Sequence, residues 1–242
     1  MLKAHITSEY VGNPMNAIVL YKNTLSDIEN IPSRMESIIG DSTLAPFMWM
    51  DAMVGDQKKM PEYRDCVDCK LGEMHIKHLP SQFMGLKDVY NDTTTVLTEC
   101  LSDYESRYNI RMDFMEAINF VRYGVGQHFG VHSDHGFSYN CTVSSVLYLN
   151  DDYEGGELWF PYMDVTFKPQ KGDLVIFPST FIYAHSSKPI TSGVKYAAVT
   201  MYDYNDRTHK NYAYGKNIDG SEATYGAGIP GISTSTKRFI VD

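Results

Sequence analysis

The sequence predicts an α+β chain, mainly β, with a jelly-roll core of two β-sheets backed by N-terminal helices. Three observations predict it. From residue 117 onward, short apolar runs follow one another closely: AINFVRY, FGVHSD, TVSSVLYLN, ELWFP, DVTFKP, DLVIFP, FIYAHS and KYAAVTMYDY. Gly-, Asn-, Asp- and Pro-rich breaks divide them, as expected of short strands in a double-sheet jelly roll. Ahead of them, residues 85–109 place Val89, Val96, Leu97, Cys100, Leu101 and Tyr104 mostly at three- and four-residue steps. That spacing buries one stripe of a helix, which can back a sheet. Finally, no internal repeat or boundary divides the 242 residues, so one domain over 1–242 is expected, with its core at about 117–204.

Taken in order, AIVLYKN (17–23) reads as a first strand. Asn23 to Ser26 offers helix caps, and the following SDIENIPSRMESIIG has near-helical spacing until Gly40 stops it. Pro32 inside that stretch predicts a break or a kink. FMWMDAMVG (47–55) reads as a strand and DQKKMPEY as a turn. RDCVDCKLGEMHIKHLP then offers Cys66, Cys69, His75 and His78, four residue types that bind zinc. Only five residues separate the two pairs, too few for a finger-type site, which favours half-buried thiols and surface histidines. In the 85–109 helix, Thr93 to Thr95 lower intrinsic propensity, so packing must hold it. Residues 205–242 are loop-rich, with Gly, Ser, Thr and Tyr and little periodicity, and read as a lid, an oligomer contact or a surface tail.

Composition narrows the function. The formal net charge is −9, no Lys/Arg cluster is present, and an acidic surface repels phosphate backbones. Nucleic acid is therefore not expected as a partner. The N-terminus lacks an apolar signal core and no run reaches membrane-spanning length. With four cysteines expected as free thiols, the reading is a cytoplasmic protein with no membrane association.

The chemistry centres on His132-Ser133-Asp134. On a strand, alternation puts the imidazole and the carboxylate on one face. These are two parts of the 2-His-1-carboxylate facial triad that holds Fe(II) and leaves positions open. The third ligand must come from a distant strand, and His185, ending the apolar run FPSTFIYAH, is the candidate. The alternative is a hydrogen-bonded surface pair and a structural histidine. His128 and His135 flank the motif without a carboxylate at the right offset.

The wider pattern is Tyr123-xx-Gly126-xx-Phe129-xx-His132-x-Asp134, Tyr148-Leu149-Asn150, Gly155-Gly156-Glu157, Pro169-xx-Gly172-Asp173, Phe177, His185 and Gly193-Val194-Lys195. Over about residues 117–204 it resembles the Fe(II)/2-oxoglutarate-dependent dioxygenases, and within them the prolyl-4-hydroxylase-like branch. The resemblance implies a double-stranded β-helix in which His132, Asp134 and His185 bind Fe(II). It implies that Lys195 pairs with the distal carboxylate of 2-oxoglutarate, with Tyr148 donating to the same group and Tyr123 bonding near the chelating end. Ser144 falls where the family often has a threonine near the cosubstrate. The two tyrosines can also be read as core residues with satisfied hydroxyls, and Lys195 as a solvated edge residue. Glu157 and Asp173 read as structural turn and rim residues.

Fe(II), 2-oxoglutarate and O2 follow from the resemblance, with ascorbate as an accessory reductant. So does hydroxylation of an unactivated carbon, first of all in a prolyl residue of a peptide or protein. Hydroxylation of a free amino acid or other small molecule is the closest alternative. Nucleic-acid demethylation and a non-catalytic jelly-roll binding protein stand further off. Phe129 replaces a tyrosine common in relatives, Cys141 stands where collagen-type relatives often have an arginine, and Met201 replaces a tryptophan. These departures lie near the substrate, so the reaction class is better specified than the substrate. Residues 63–85 and 205–242 are the expected lids.

Overall fold

The computed structural model describes residues 2–54, 58–136 and 140–205, and the backbone of residues 232–233. The N-terminal part holds β1 (Thr7–Tyr10), β2 (Val19–Lys22), α1 (Ile31–Ile39), β3 (Met50–Asp51), β4 (Arg64–Asp65), β5 (Val67–Leu71), α2 (Glu73–Lys77) and α3 (Gly85–Tyr108). The strands that follow are β6 (Phe114–Met115), β7 (Ile118–Tyr123), β8 (His128–His132), β9 (Val143–Tyr148), β10 (Tyr153–Gly155), β11 (Leu158–Phe160) and β12 (Val165–Phe167). The last are β13 (Leu174–Pro178), β14 (His185–Ser187), β15 (Ile190–Gly193), β16 (Lys195–Asp203) and β17 (Ile232–Ser233).

All strand pairs are antiparallel. The major sheet runs β1-β2-β13-β9-β16-β7-β5-β3, with β6 on β16 and β17 on β6. The minor sheet runs β12-β11-β14-β8-β4, and β10 pairs with β15 alone. This is the jelly roll that the strand succession predicts.

The major sheet is buried on both faces, and strand alternation sorts its residues between two cores. Val143 and Leu147 of β9, Leu174 and Ile176 of β13, and Ala198 and Tyr202 of β16 face the helices. There they meet Leu86, Val89, Val96, Leu97, Leu101 and Tyr104 of α3. Val146 and Tyr148, Val175 and Phe177, Ala197, and Val121 and Tyr123 of β7 face inward, against Leu158 and Phe160 of the minor sheet. Tyr123, Tyr148 and Lys195 share that inward parity, so burying the helix-side core aims them into the roll.

Several local expectations change. Pro32 neither breaks nor kinks a helix: α1 begins at Ile31, capped by the Asn30 side chain, which accepts from the Ser33 amide at 3.1 Å. Proline suits a first turn, where its missing N–H has no partner to serve. FMWMDAMVG contributes only the two residues of β3, and Phe181–Tyr183 is a 3-10 turn. β10 and β15 carry no strand pattern in the sequence, being short and glycine-bearing. Cys66 and Cys69 are fully rather than half buried, and they enter opposite cores, so they cannot converge on one zinc ion. His75 is half-buried and accepts from the Gly72 amide, while His78 is exposed, as expected of a surface histidine. All four cysteines are free. The 205–242 tail, beyond Asn205 and the backbone of 232–233, lies outside the described residues.

Candidate active site

β8 and β14 bring the two histidines together, because their register places His185 opposite His132. β8 ends at His132, however, so Asp134 sits in the bend after the strand rather than on it. The bend still returns its carboxylate to the same side: Oδ1 lies 3.5 Å from His132 Nε2 and Oδ2 3.9 Å from His185 Nε2. One donor atom from each residue falls within 4.8 Å of the others, the only such His/Cys/Asp/Glu group among the described residues.

Both imidazoles are held by the nitrogen that points away. His132 Nδ1 is 2.8 Å from the Gly130 carbonyl, and His185 Nδ1 is 3.1 Å from the Tyr183 carbonyl. Such bonds put the proton on Nδ1 and leave the Nε2 lone pairs facing the site. Phe129 stacks on His132 with ring centroids 3.6 Å apart, while Phe177 and Phe160 flank His185. Burial, then the neighbouring His132, push the His185 imidazole down to about 4, so it is neutral at pH 7. Burial opposes the charge on Asp134. The neighbouring His185, His132 and Ser144 outweigh it and hold the carboxyl well below the usual range. Two imidazole nitrogens, one carboxylate oxygen and carbonyl partners fixed behind the rings fit a divalent iron ion.

Ser144 thus touches Asp134, and its hydroxyl is also 2.7 Å from that of Ser179. Its place is behind a carboxylate ligand, a role that strand parity alone could not distinguish from a cosubstrate contact. His128 lies on the rim near the Glu62 carbonyl, and His135 is bonded to the Cys141 carbonyl. Neither joins the triad. Asp173 accepts from the Gln170 amide, a turn role.

Deeper in the roll lies Lys195, which pairs in register with Tyr123 and is 2% exposed. Its ammonium donates to the Gly156 carbonyl at 2.8 Å and the Ser187 hydroxyl at 2.9 Å. It sits 5.5, 5.2 and 6.0 Å from the ring centres of Tyr123, Tyr148 and Tyr153. Among the described residues no carboxylate lies within ion-pair distance of it. Burial pushes this ammonium down to about 7. The Tyr123 hydroxyl is bonded to the Cys66 thiol, with the Arg64 guanidinium beside the pair. Arg64 also lies over Phe129 at 4.8 Å. Arg64 and Cys66 come from the N-terminal half, and no motif in the sequence ties them to residue 123.

A groove of about 690 Å3 opens beside His132 of the triad. His132 lies in it, with Tyr63 and Val131 on one side and Tyr162, Phe181 and Ile182 on the other. Phe181 is 73% and Tyr162 72% exposed, so the space is an open trough. No carboxylate or ammonium of the described residues lines it. Of the predicted 63–85 lid, only the first residues border the site, where the Tyr63 hydroxyl donates to the Val131 carbonyl at 2.7 Å. β5 instead joins the major sheet, and Ile76 of α2 packs in the helix-side core.

A jelly roll with a 2-His-1-carboxylate set at one mouth and a buried cation further in has the architecture of a non-haem iron oxygenase. Residues 118–203 match the sequence profile of the 2OG-Fe(II) oxygenase superfamily. The matched stretch is similar to that superfamily and, through the named relatives, to its prolyl 4-hydroxylase-like branch. It is 39% identical to a PKHD-type hydroxylase of Colwellia psychrerythraea, over 33% of this chain and 39% of that one. It is 31% identical to an Arabidopsis thaliana protein named "Probable prolyl 4-hydroxylase 9", over 34% of this chain and 39% of that one. The chain spans less than half the length of these curated relatives. In fold it is similar to a Trichoplax adhaerens prolyl hydroxylase solved with a hypoxia inducible factor peptide. That likeness has a TM-score of 0.60 at 17% identity and covers 78% of this chain and 84% of the other. A Pseudomonas putida prolyl-4-hydroxylase gives 0.51 at 15%, over 81% and 91%. Members of the superfamily use Fe(II), 2-oxoglutarate and O2. Among the described residues no helix is long and apolar enough to cross a membrane.

Proposed function

We propose that the chain, as one catalytic domain over 1–242, is an Fe(II)- and 2-oxoglutarate-dependent dioxygenase that hydroxylates a prolyl residue in a peptide or protein. The observation that carries the reading is the open, uncharged trough with His132 in its wall. A small amino acid would need a closed pocket with partners for its own charges, whereas an extended chain can lie along a trough.

His132, Asp134 and His185 would hold the iron, each aimed by the bonds described above. When bound, the iron and its cosubstrate supply oxidative decarboxylation to succinate and CO2 coupled to insertion of one oxygen atom into a C–H bond. Lys195 would bind the distal carboxylate, an anion that compensates the cost of its burial. Tyr148 and Tyr123 would line the cosubstrate, Tyr123 with its hydroxyl steadied by Cys66. Phe129, Phe160 and Phe177 exclude water around the histidines. Ascorbate would keep the iron reduced, and four free cysteines support a cytoplasmic setting.

The test is succinate formation under air with Fe(II), ascorbate and 2-oxoglutarate, with and without proline-rich peptides. Peptide-stimulated succinate with one oxygen added to a prolyl residue is the expected result. Succinate that no peptide stimulates, but a free amino acid does, would overturn the substrate reading. No succinate from iron-loaded protein with any substrate would point to the non-catalytic alternative.

A further inference from the structure

We propose that the Tyr153 hydroxyl is a further donor to the distal carboxylate of the cosubstrate, beside Lys195 and Tyr148. The proposal rests on the 2-oxoglutarate reading above. Lys195 has three N–H donors. Two are already used, on the Gly156 carbonyl and the Ser187 hydroxyl. One remains for a carboxylate that offers about four lone-pair sites. Further donors must come from the same wall, and the Tyr123 hydroxyl is already on Cys66.

Tyr153 is 3% exposed, and its hydroxyl is one of the few buried side-chain polar atoms among the described residues with no hydrogen-bond partner. Buried hydroxyls are normally bonded, so an orphan beside a buried ammonium that has no counter-ion among the described residues points to a missing acceptor. The two side chains lie side by side over Gly156. A Cβ at that glycine would sit 3.0 Å from Tyr153 Cε2 and 3.2 Å from Lys195 Cδ. The phenol packs in the same inward core as Tyr123 and Tyr148. Lys168 holds it from behind, donating to the Tyr153 carbonyl at 2.7 Å with its ammonium 5.1 Å from the ring centre. The phenol is therefore held beside the Lys195 ammonium, which lies 6.0 Å from its ring centre.

The test is Tyr153→Phe in Mn(II)-loaded protein, titrated calorimetrically with 2-oxoglutarate and with 2-oxopentanoate, which has the same chain without the distal carboxylate. The substitution should weaken 2-oxoglutarate about tenfold and leave 2-oxopentanoate unchanged. The unfolding midpoint of the ligand-free variant should be equal or higher, since the change removes an unsatisfied buried hydroxyl. Unchanged preference for 2-oxoglutarate, or equal weakening of both ligands, would overturn the proposal. If the wild type binds 2-oxopentanoate as tightly as 2-oxoglutarate, the cosubstrate reading of the Lys195 pocket falls first.

Discussion

Lys195 shows how one residue's surroundings set its chemistry. Its ammonium is 2% exposed, has no carboxylate partner among the described residues, and is pushed down to about 7 by burial. A bound carboxylate restores its charge, so binding takes up a proton whenever the free ammonium has lost one. Below pH 7 the free lysine is already charged and 2-oxoglutarate affinity is level. Above about 7 affinity falls, by up to tenfold per pH unit, until the pH passes the raised value in the complex. Calorimetry from pH 6 to 9 on Mn(II)-loaded protein checks this, and a flat profile would refute it. Lys195→Met should raise the 2-oxoglutarate dissociation constant by about two orders of magnitude, because the ligand's carboxylate then enters the roll unpaired. His132→Ala should abolish metal binding, measured as loss of the rise in melting temperature that Mn(II) gives the wild type. That rise corresponds to about 2.7 kcal/mol at a hundredfold excess over the dissociation constant.

At the scale of elements, the Gly155-Gly156 pair joins β10 to β15 and makes room for Lys195. Gly155 has φ +76, and a Cβ there would lie 2.2 Å from the Pro189 carbonyl oxygen. Gly126 has φ +84 but nothing within 4 Å of its Cβ position. Gly155→Ala should therefore cost about 3 kcal/mol of stability, from backbone strain plus overlap, and Gly126→Ala only about 1 kcal/mol. Urea midpoints of the two variants decide it, and equal losses would refute the crowding argument. Asn150 closes the same region from the other side. Its side chain donates to the Val194 carbonyl at 2.7 Å and accepts from the Tyr196 amide at 2.7 Å. The YLN motif thus staples the strand that carries Tyr148 to the strand that carries Lys195.

At the scale of the molecule, two 3-10 turns build one wall of the trough, Pro161–Met163 with Tyr162 and Phe181–Tyr183 with Phe181. Both aromatic side chains stand in solvent, and Lys195 is not among the residues lining the trough. Replacing Tyr162 and Phe181 together by Ser should raise the KM for a prolyl peptide about tenfold. Affinity for 2-oxoglutarate should not change. Equal kinetics with peptide would show that the substrate lies elsewhere.

Local sequence determined the α3 stripe and the strand-rich second half. Each follows from a period of 3.6 or 2 acting over a few residues. It also determined that a third ligand had to come from a distant strand. Only the tertiary structure decided the rest, because those contacts join residues that no periodicity connects. The β8–β14 register set His185 against His132. The bend after β8, rather than strand alternation, returned Asp134 to them. Cys66 and Cys69 were parted into two cores by a sheet buried on both faces. Ser144 came to rest behind Asp134, Arg64 and Cys66 came beside Tyr123, and Tyr153 was left with a buried hydroxyl and no partner. A local pattern can say which way a side chain points, but which donor or acceptor it meets depends on how distant strands close around it.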